Sequence, residues 1–321
     1  MSELYPVTFK PVYKDYIWGG DKILHTYNRD EPPGIYAESW EVSDRPEGMS
    51  VVANGALTGK TFRELIDETG PKLLGSDLDH FPLLIKIIDA HETLSVQIHP
   101  DDKTAIQYGG EAKTEMWYVL EAEPGACVYS GLKPGIDKET FQAAVKDNRV
   151  EDLLIKIPVT KEDTILTPGG RVHAIGAGCL LLEVQQNSNT TYRIYDWGRL
   201  GTDGNPRRLH LEQATQVIHW DDQTKAKVAP RKLGQLGDNE RWEMLTTSHF
   251  RMERLCLKET WDSPFDGKFF HILFVAEGSV TLKWNSSYQP LLPGTSCLIP
   301  TALPTYQIEP STYSKVIRIT L

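Results

Sequence analysis

Four residues of this chain, Gln97, His99, Glu115 and His173, carry side chains that could share one divalent metal. The run Leu94-Ser95-Val96-Gln97-Ile98-His99-Pro100 alternates polar and apolar residues, the period-two signature of a strand. Ser95, Gln97 and His99 then share one face, and Leu94, Val96 and Ile98 the other. Ligands at i and i+2 would project into one cavity of a β-barrel. Glu115 follows a loop, and His173 lies in Pro168-Gly169-Gly170-Arg171-Val172-His173. Two imidazoles, a carboxylate and an amide oxygen suit Zn²⁺ at about 2.0–2.2 Å and tolerate Mn²⁺, Fe²⁺ or Co²⁺. With no thiolate in the set, the metal is expected to be catalytic rather than purely structural. A single His in a β protein is usually a hydrogen-bonding residue. The weight rests on the ordered series: Gln-x-His, a loop, Lys-x-Glu, then the distant His.

Other residues could act beside such a metal. Lys86 is flanked by Leu83, Leu84, Ile85, Ile87 and Ile88, and burying it without a partner is costly. A bound phosphate would serve, and so would an internal ion pair with Asp89, Glu38 or Glu41. Glu183 sits in the apolar run Cys179–Val184, where desolvation should raise its pKa toward the range of a general base. It could equally orient a ligand His. Lys113 is a second candidate for proton transfer or substrate binding, or else a solvated loop lysine. Arg193, among Tyr192, Tyr195, Asp196 and Trp197, reads as a pocket-mouth cation able to stabilise a developing negative oxygen, or as a surface ion-pair arginine.

The elements that must hold these residues are mostly strands. Of 321 residues, 40% are hydrophobic and 24% charged, so the chain should fold as a soluble globule. A net charge of −10 argues against a nucleic-acid surface. No run is long and apolar enough for a membrane span. The N-terminus lacks the apolar stretch of a secretory signal, and the four cysteines show no paired spacing. A cytoplasmic location is expected. Thr61 to Glu64 forms a capping box opening a helix, which Gly70-Pro71 should break. Further short helices are expected at Asp101–Tyr108 and within Asp137–Leu154. Residues 221–240 are polar and read as a linker or crossover. The segments Thr164–Ile175 and Ser296–Ile308 share a pattern of strand, Pro turn, strand, with Thr305 or Tyr306 where the first has His173. That layout is a cupin barrel (a double-stranded β-helix) followed by a degenerate second one. The expected fold is mainly β, with a metal-binding domain over 1–225 and a ligand-free domain over 240–321.

The stretches LSVQIHPDD, AKTEMWYVL and PGGRVHAIGAGCLLLEVQQNSNTTYRIYDWGR together resemble type I mannose-6-phosphate isomerases (phosphomannose isomerases) of the short bacterial form. The likeness runs from Tyr16 to Arg199 and continues weakly over the second barrel. It implies zinc held by Gln97, His99, Glu115 and His173, an active-site arginine at Arg193, and a glutamate at Glu183. It also implies Ser95 and Lys86 near the substrate phosphate. The implied reaction interconverts mannose 6-phosphate and fructose 6-phosphate through a cis-enediol or enediolate. The helical insertion of long members is reduced here to the Asp137 region, and TTYRIYDWGR differs from their arginine motif. The alternatives are a metal-dependent cupin oxygenase and a non-catalytic sugar-phosphate-binding cupin. Lys86, Lys113 and Arg193 disfavour the first by pointing to an anionic substrate, and the intact ligand set disfavours the second.

Overall fold

The alternating and wholly apolar runs fold as antiparallel strands, and the helices between them are short. The structure is a computed structural model that describes residues 4–75, 78–263 and 267–321. Two compact units emerge. One comprises Met1–Val12, Trp40–Leu84 and Ala229–Leu321, the other Tyr13–Ser39 and Ile85–Val228. A division at 225 and 240 therefore does not describe them. The physical reason is pairing between distant segments: Val7–Lys10 runs antiparallel to Ser296–Ile299, with Val7 opposite Leu298. The start of the chain thereby completes a sheet built by its end.

The strands of the described residues form four sheets, a mainly β, cupin-like fold as expected. In the unit holding the chain's end, an eight-stranded sheet accompanies a four-stranded one. Leu255, Leu273 and Val316 from the first meet Leu282, Tyr306 and Ile308 from the second in one apolar core. Tyr306 opens its strand as His173 opens its own, yet its hydroxyl meets His271 Nδ1 at 2.7 Å. The stretch read as a linker is different from expectation. Arg231–Leu236 and Asn239–Thr246 pair as a hairpin. Arg231–Leu236 is almost wholly exposed, so it carries no apolar alternation and its polarity imitates a loop.

A seven-stranded sheet runs in the order Lys227–Val228, Thr164–Thr167, Glu115–Ala122, Cys179–Gln186, Leu83–Ala90, Glu38–Ser43, Val12–Lys14. Its companion runs Tyr192–Tyr195, Val96–Ile98, His173–Ile175, Cys127–Leu132, Leu154–Pro158. Trp117, Val119 and Leu181 of the first sheet and Val128 and Ile175 of the second share one core. Leu83–Ala90 is buried at every position, which explains its unbroken apolar run around Lys86. The helices fall where their caps predict: Thr61 and Glu64 close a capping box on Phe62–Thr69, and Asp101 and Thr104 close another on Asp102–Tyr108. No helix among the described residues is long and apolar enough to cross a membrane.

Candidate metal centre and pocket

Gln97 lies in the strand Val96–Ile98 and directly faces His173, the first residue of the neighbouring strand. His99 follows two residues after Gln97, on the same face. Glu115 opens its strand in the opposite sheet. The side chains meet across the interior: His173 Nε2 is 3.2 Å from Glu115 Oε1, and His99 Nε2 is 3.5 Å from Oε2. The Pro168-Gly169-Gly170 turn makes this approach feasible. A Cβ on Gly169 would lie 2.6 Å from Asp101 Cα, and Gly170 has φ of +85°, so both positions need glycine. The Gly170 amide donates to His99 O at 2.8 Å, tying the two histidine segments together.

The protonation pattern follows from the hydrogen bonds. His99 Nδ1 is 2.8 Å from Thr190 O, and His173 Nδ1 is 2.8 Å from Arg171 O. A carbonyl only accepts, so each Nδ1 carries a proton and each Nε2 faces the centre. Burial, aided by the Lys113 ammonium, pushes His99 down to about 3, which keeps it neutral. For Glu115, burial pulls the other way, but the Lys113 ammonium above all holds its carboxyl well below the usual range. Lys113 Nζ is 2.6 Å from Glu115 Oε2, yet neither carboxylate oxygen accepts a well-directed hydrogen bond. Two imidazole Nε2 atoms aimed at a buried, unsatisfied carboxylate are a donor set that a divalent cation would complete. Gln97 Nε2 stands 3.4 Å from His173 Nε2, and Ser95 Oγ donates to Gln97 Oε1 at 3.2 Å. A hydroxyl can accept as readily as it donates, so Ser95 supports either orientation of that amide. The residues fit a metal.

Beside this centre a row of inward side chains crosses adjacent strands: Trp117, Glu183, Lys86, Glu38. Glu183 pairs in register with Trp117, whose indole Nε1 donates to Glu183 Oε2 at 3.0 Å. Lys86 Nζ lies 3.2 Å from Glu183 Oε1 and 3.4 Å from Glu38 Oε2. The internal ion pair, left open by the sequence, is thus formed, and Ser95 is engaged with Gln97. Burial raises Glu183, opposed by Lys113. Lys113 is buried, so it is no solvated loop lysine.

Glu38, Lys86, Ser95, Gln97, Lys113 and Glu183 line a cavity of about 290 Å³, together with Tyr16, Asn189, Thr191, Arg193 and Arg207. That volume suits a small, compact ligand. Arg193 faces Gln97 in register, and its Nη1 donates to Arg208 O at 2.9 Å. Sequence reasoning missed Trp117, Arg207 and the Thr190 carbonyl. Trp117 sits two residues beyond Glu115 on the same face, a period-two signal that was available.

The His173 support is itself anchored. Arg171 is buried and donates through Nε and Nη2 to both oxygens of Asp222, at 2.6 and 2.9 Å. Burial would raise Asp222, but the Arg171 fork and the Thr224 amide lower it. A lowered carboxylate adds stability above its unfolded pKa, near about 3.9, and loses it as pH falls through the folded value. Asp222→Asn is therefore expected to cost about 2–4 kcal/mol at neutral pH. The gap to the parent protein should narrow in acid, as urea titrations at several pH values would reveal. A gap independent of pH would refute this account.

Comparisons with known proteins agree with the geometry. Residues 7–129 match the family model for the phosphomannose isomerase type I catalytic domain. Mannose-6-phosphate isomerase ManA of Bacillus subtilis is 33% identical over 306 residues, spanning 95% of this chain and 96% of that protein. The Streptococcus mutans mannose-6-phosphate isomerase is 41% identical over 203 residues, or 63% of this chain and 64% of its own. A crystal structure of the mannose 6-phosphate isomerase from Bacillus subtilis superposes with a TM-score of 0.91 at 30% identity, covering 99% of this chain and 100% of that one. On this footing, the chain belongs to the type I phosphomannose isomerase family.

Proposed function

We propose that this protein interconverts mannose 6-phosphate and fructose 6-phosphate in the cavity of the unit formed by residues 13–39 and 85–228. That unit serves as the catalytic domain. The observation that carries the reading is the pair of imidazoles aimed at Glu115, bordered by a cavity lined with Lys86, Lys113, Glu183 and Arg193. Gln97, His99, Glu115 and His173 would hold one divalent metal, with zinc favoured by the mixed nitrogen and oxygen set. When bound, the metal polarises substrate oxygens as a Lewis acid.

The chain's own residues supply the rest. Moving a proton between C1 and C2 requires a base, and Glu183 is suited to accept it. Its burial raises its pKa above the ordinary carboxylate value, while Trp117 and Lys86 hold its two oxygens. Lys113 is the second candidate for proton transfer, since it lines the cavity beside Glu115. Arg193 places a fixed cation next to Gln97, where it stabilises negative charge developing on the enediolate oxygen. The water-poor interior strengthens each of these interactions. The family membership favours this reading over an oxygenase or a non-catalytic binding protein.

A coupled assay for mannose 6-phosphate turnover, with metal content measured in parallel, tests the proposal. Chelation is expected to abolish turnover, and adding zinc, manganese or cobalt to restore it. Inactivity of fully metallated protein toward every hexose phosphate would sink the reading.

A further inference from the structure

The unit that holds the chain's end has a groove of its own. It is built on the hairpin of Val280–Trp284 with Ser287–Leu291, whose turn is Asn285-Ser286. Asn285 has φ of +46°, the left-handed conformation that such two-residue turns favour. Side chains alternate along each strand, and residues paired across the hairpin share a face. Val280, Leu282 and Leu291 face the apolar core. Trp284, Ser287 and Gln289 continue that face past the edge of the core, against which Trp284 is only partly buried. Tyr5 and the turn at Asn54 supply the other wall. The groove between them measures about 990 Å³ and lies within one unit. None of the described residues that line it carries a charge at neutral pH.

Its walls are fixed by hydrogen bonds. Tyr5 Oη donates to Asn54 O at 2.9 Å and accepts from the Leu57 amide at 2.7 Å. Gly55 lies against the same ring: a Cβ there would stand 2.5 Å from it, and φ is +62°. Asn54 Oδ1 accepts from the Thr8 amide at 3.0 Å, and Nδ2 donates to Pro6 O at 2.9 Å and to Gln289 Oε1 at 2.6 Å. That last bond turns the Gln289 oxygen toward Asn54, and the Nε2 donor has no protein partner among the described residues. The indole N–H of Trp284 has none either.

We propose that this groove binds an uncharged saccharide, apart from the metal-centred cavity of the other unit. Such binding would stand whether or not that cavity isomerises a sugar phosphate. A pyranose ring has an apolar C–H face and a rim of hydroxyls. The Trp284 indole offers a flat apolar body with one donor at its edge, and Gln289 Nε2 offers two N–H donors to neighbouring hydroxyl oxygens. An apolar ligand would leave these donors unpaired. A phosphate would find no cation to pair with, so the sugar is unphosphorylated. At about 990 Å³, against about 290 Å³ for the metal-centred cavity, the groove has room for more than one ring.

The test titrates mannobiose and cellobiose into the full-length protein, with calorimetry and saturation-transfer NMR as readouts. Gln289→Glu keeps an oxygen that accepts from Asn54 and removes only the Nε2 donor. It should weaken binding about tenfold at an unchanged urea midpoint. Trp284→Phe keeps a ring against the core and should weaken binding as well. His173→Ala, altered at the metal centre, should bind both sugars as the parent does. Absence of saturable binding of either sugar at concentrations on the order of 10 mM would overturn the proposal, as would parental affinity in both groove variants. Binding lost in His173→Ala but kept in Gln289→Glu would place the sugar in the metal-centred cavity, also overturning it. A parent dimer that Gln289→Glu dissociates, seen by sedimentation, would mean that a second copy of the chain fills the groove and that the proposal fails.

Discussion

Glu115→Gln is expected to yield a protein without stoichiometric metal and without measurable turnover. Among the described residues Glu115 is the one anion within reach of both imidazole Nε2 atoms, so a neutral amide removes the charge a divalent cation needs. The loss in metal affinity should exceed the roughly 10–100-fold typical of the hydrogen-bond partners around ligands. A second effect follows from burial. Lys113 Nζ lies 2.6 Å from Glu115 Oε2 in a site closed to solvent, and Gln leaves that ammonium without its anion. Removing one partner of a buried pair costs about 3–5 kcal/mol, so chelator-treated Glu115→Gln should unfold at lower urea than chelator-treated parent. His173→Ala separates the two effects: it should lose metal and activity but keep the Lys113–Glu115 pair. Metal per chain, turnover and urea midpoints of the three proteins provide the check. Stoichiometric metal in Glu115→Gln would show that the ligand assignment is wrong.

How much of this centre could be read in the sequence depended on the range of the interaction. Gln97 and His99 are two residues apart on a strand, and period two alone places them together. The folding of Glu115 and His173 against them involves both sheets, and only the resemblance to a family made it readable. Lys86 shows the limit clearly. Its apolar neighbours announced a buried cation, but whether the partner was Glu38, Asp89 or a ligand depended on strand order. The order Cys179–Gln186, Leu83–Ala90, Glu38–Ser43 puts carboxylates on both sides of it. The division into units was missed for a related reason, because the pairing of Val7–Lys10 with Ser296–Ile299 leaves no local trace. The hairpin Arg231–Leu236 with Asn239–Thr246 was misread because its first strand buries almost nothing. Periodicity reports burial, not hydrogen bonding, and a strand exposed on both faces carries none.

Glu183→Gln is expected to retain its metal while kcat falls by about 10²–10⁴, the usual worth of a positioned base. The amide is nearly isosteric, and its oxygen can still accept from Trp117 Nε1, which donates to Glu183 at 3.0 Å. Lys86 keeps Glu38 at 3.4 Å, so the site should not collapse. The pH dependence provides the sharper signature. Burial raises the Glu183 carboxyl above its ordinary value, so folding favours its neutral form. That contribution is complete below the unfolded pKa, near about 4.3, and is lost as pH rises through the folded value. Activity runs the opposite way, rising with pH through the folded value as the carboxylate becomes available to take a proton. Above the folded value the ionised group works against folding while it serves catalysis. Glu183→Gln relieves that opposition and also weakens the pairing of Lys86, so its stability should stay within about 1–2 kcal/mol of the parent. A residue that merely orients a ligand would behave otherwise, shedding metal when altered and leaving the acid limb of the kcat profile in place. Lys113→Met, assayed alongside with metal confirmed, discriminates between the two candidates. If it removes the acid limb and Glu183→Gln stays within tenfold of the parent, the proton is moved by Lys113 and not by Glu183.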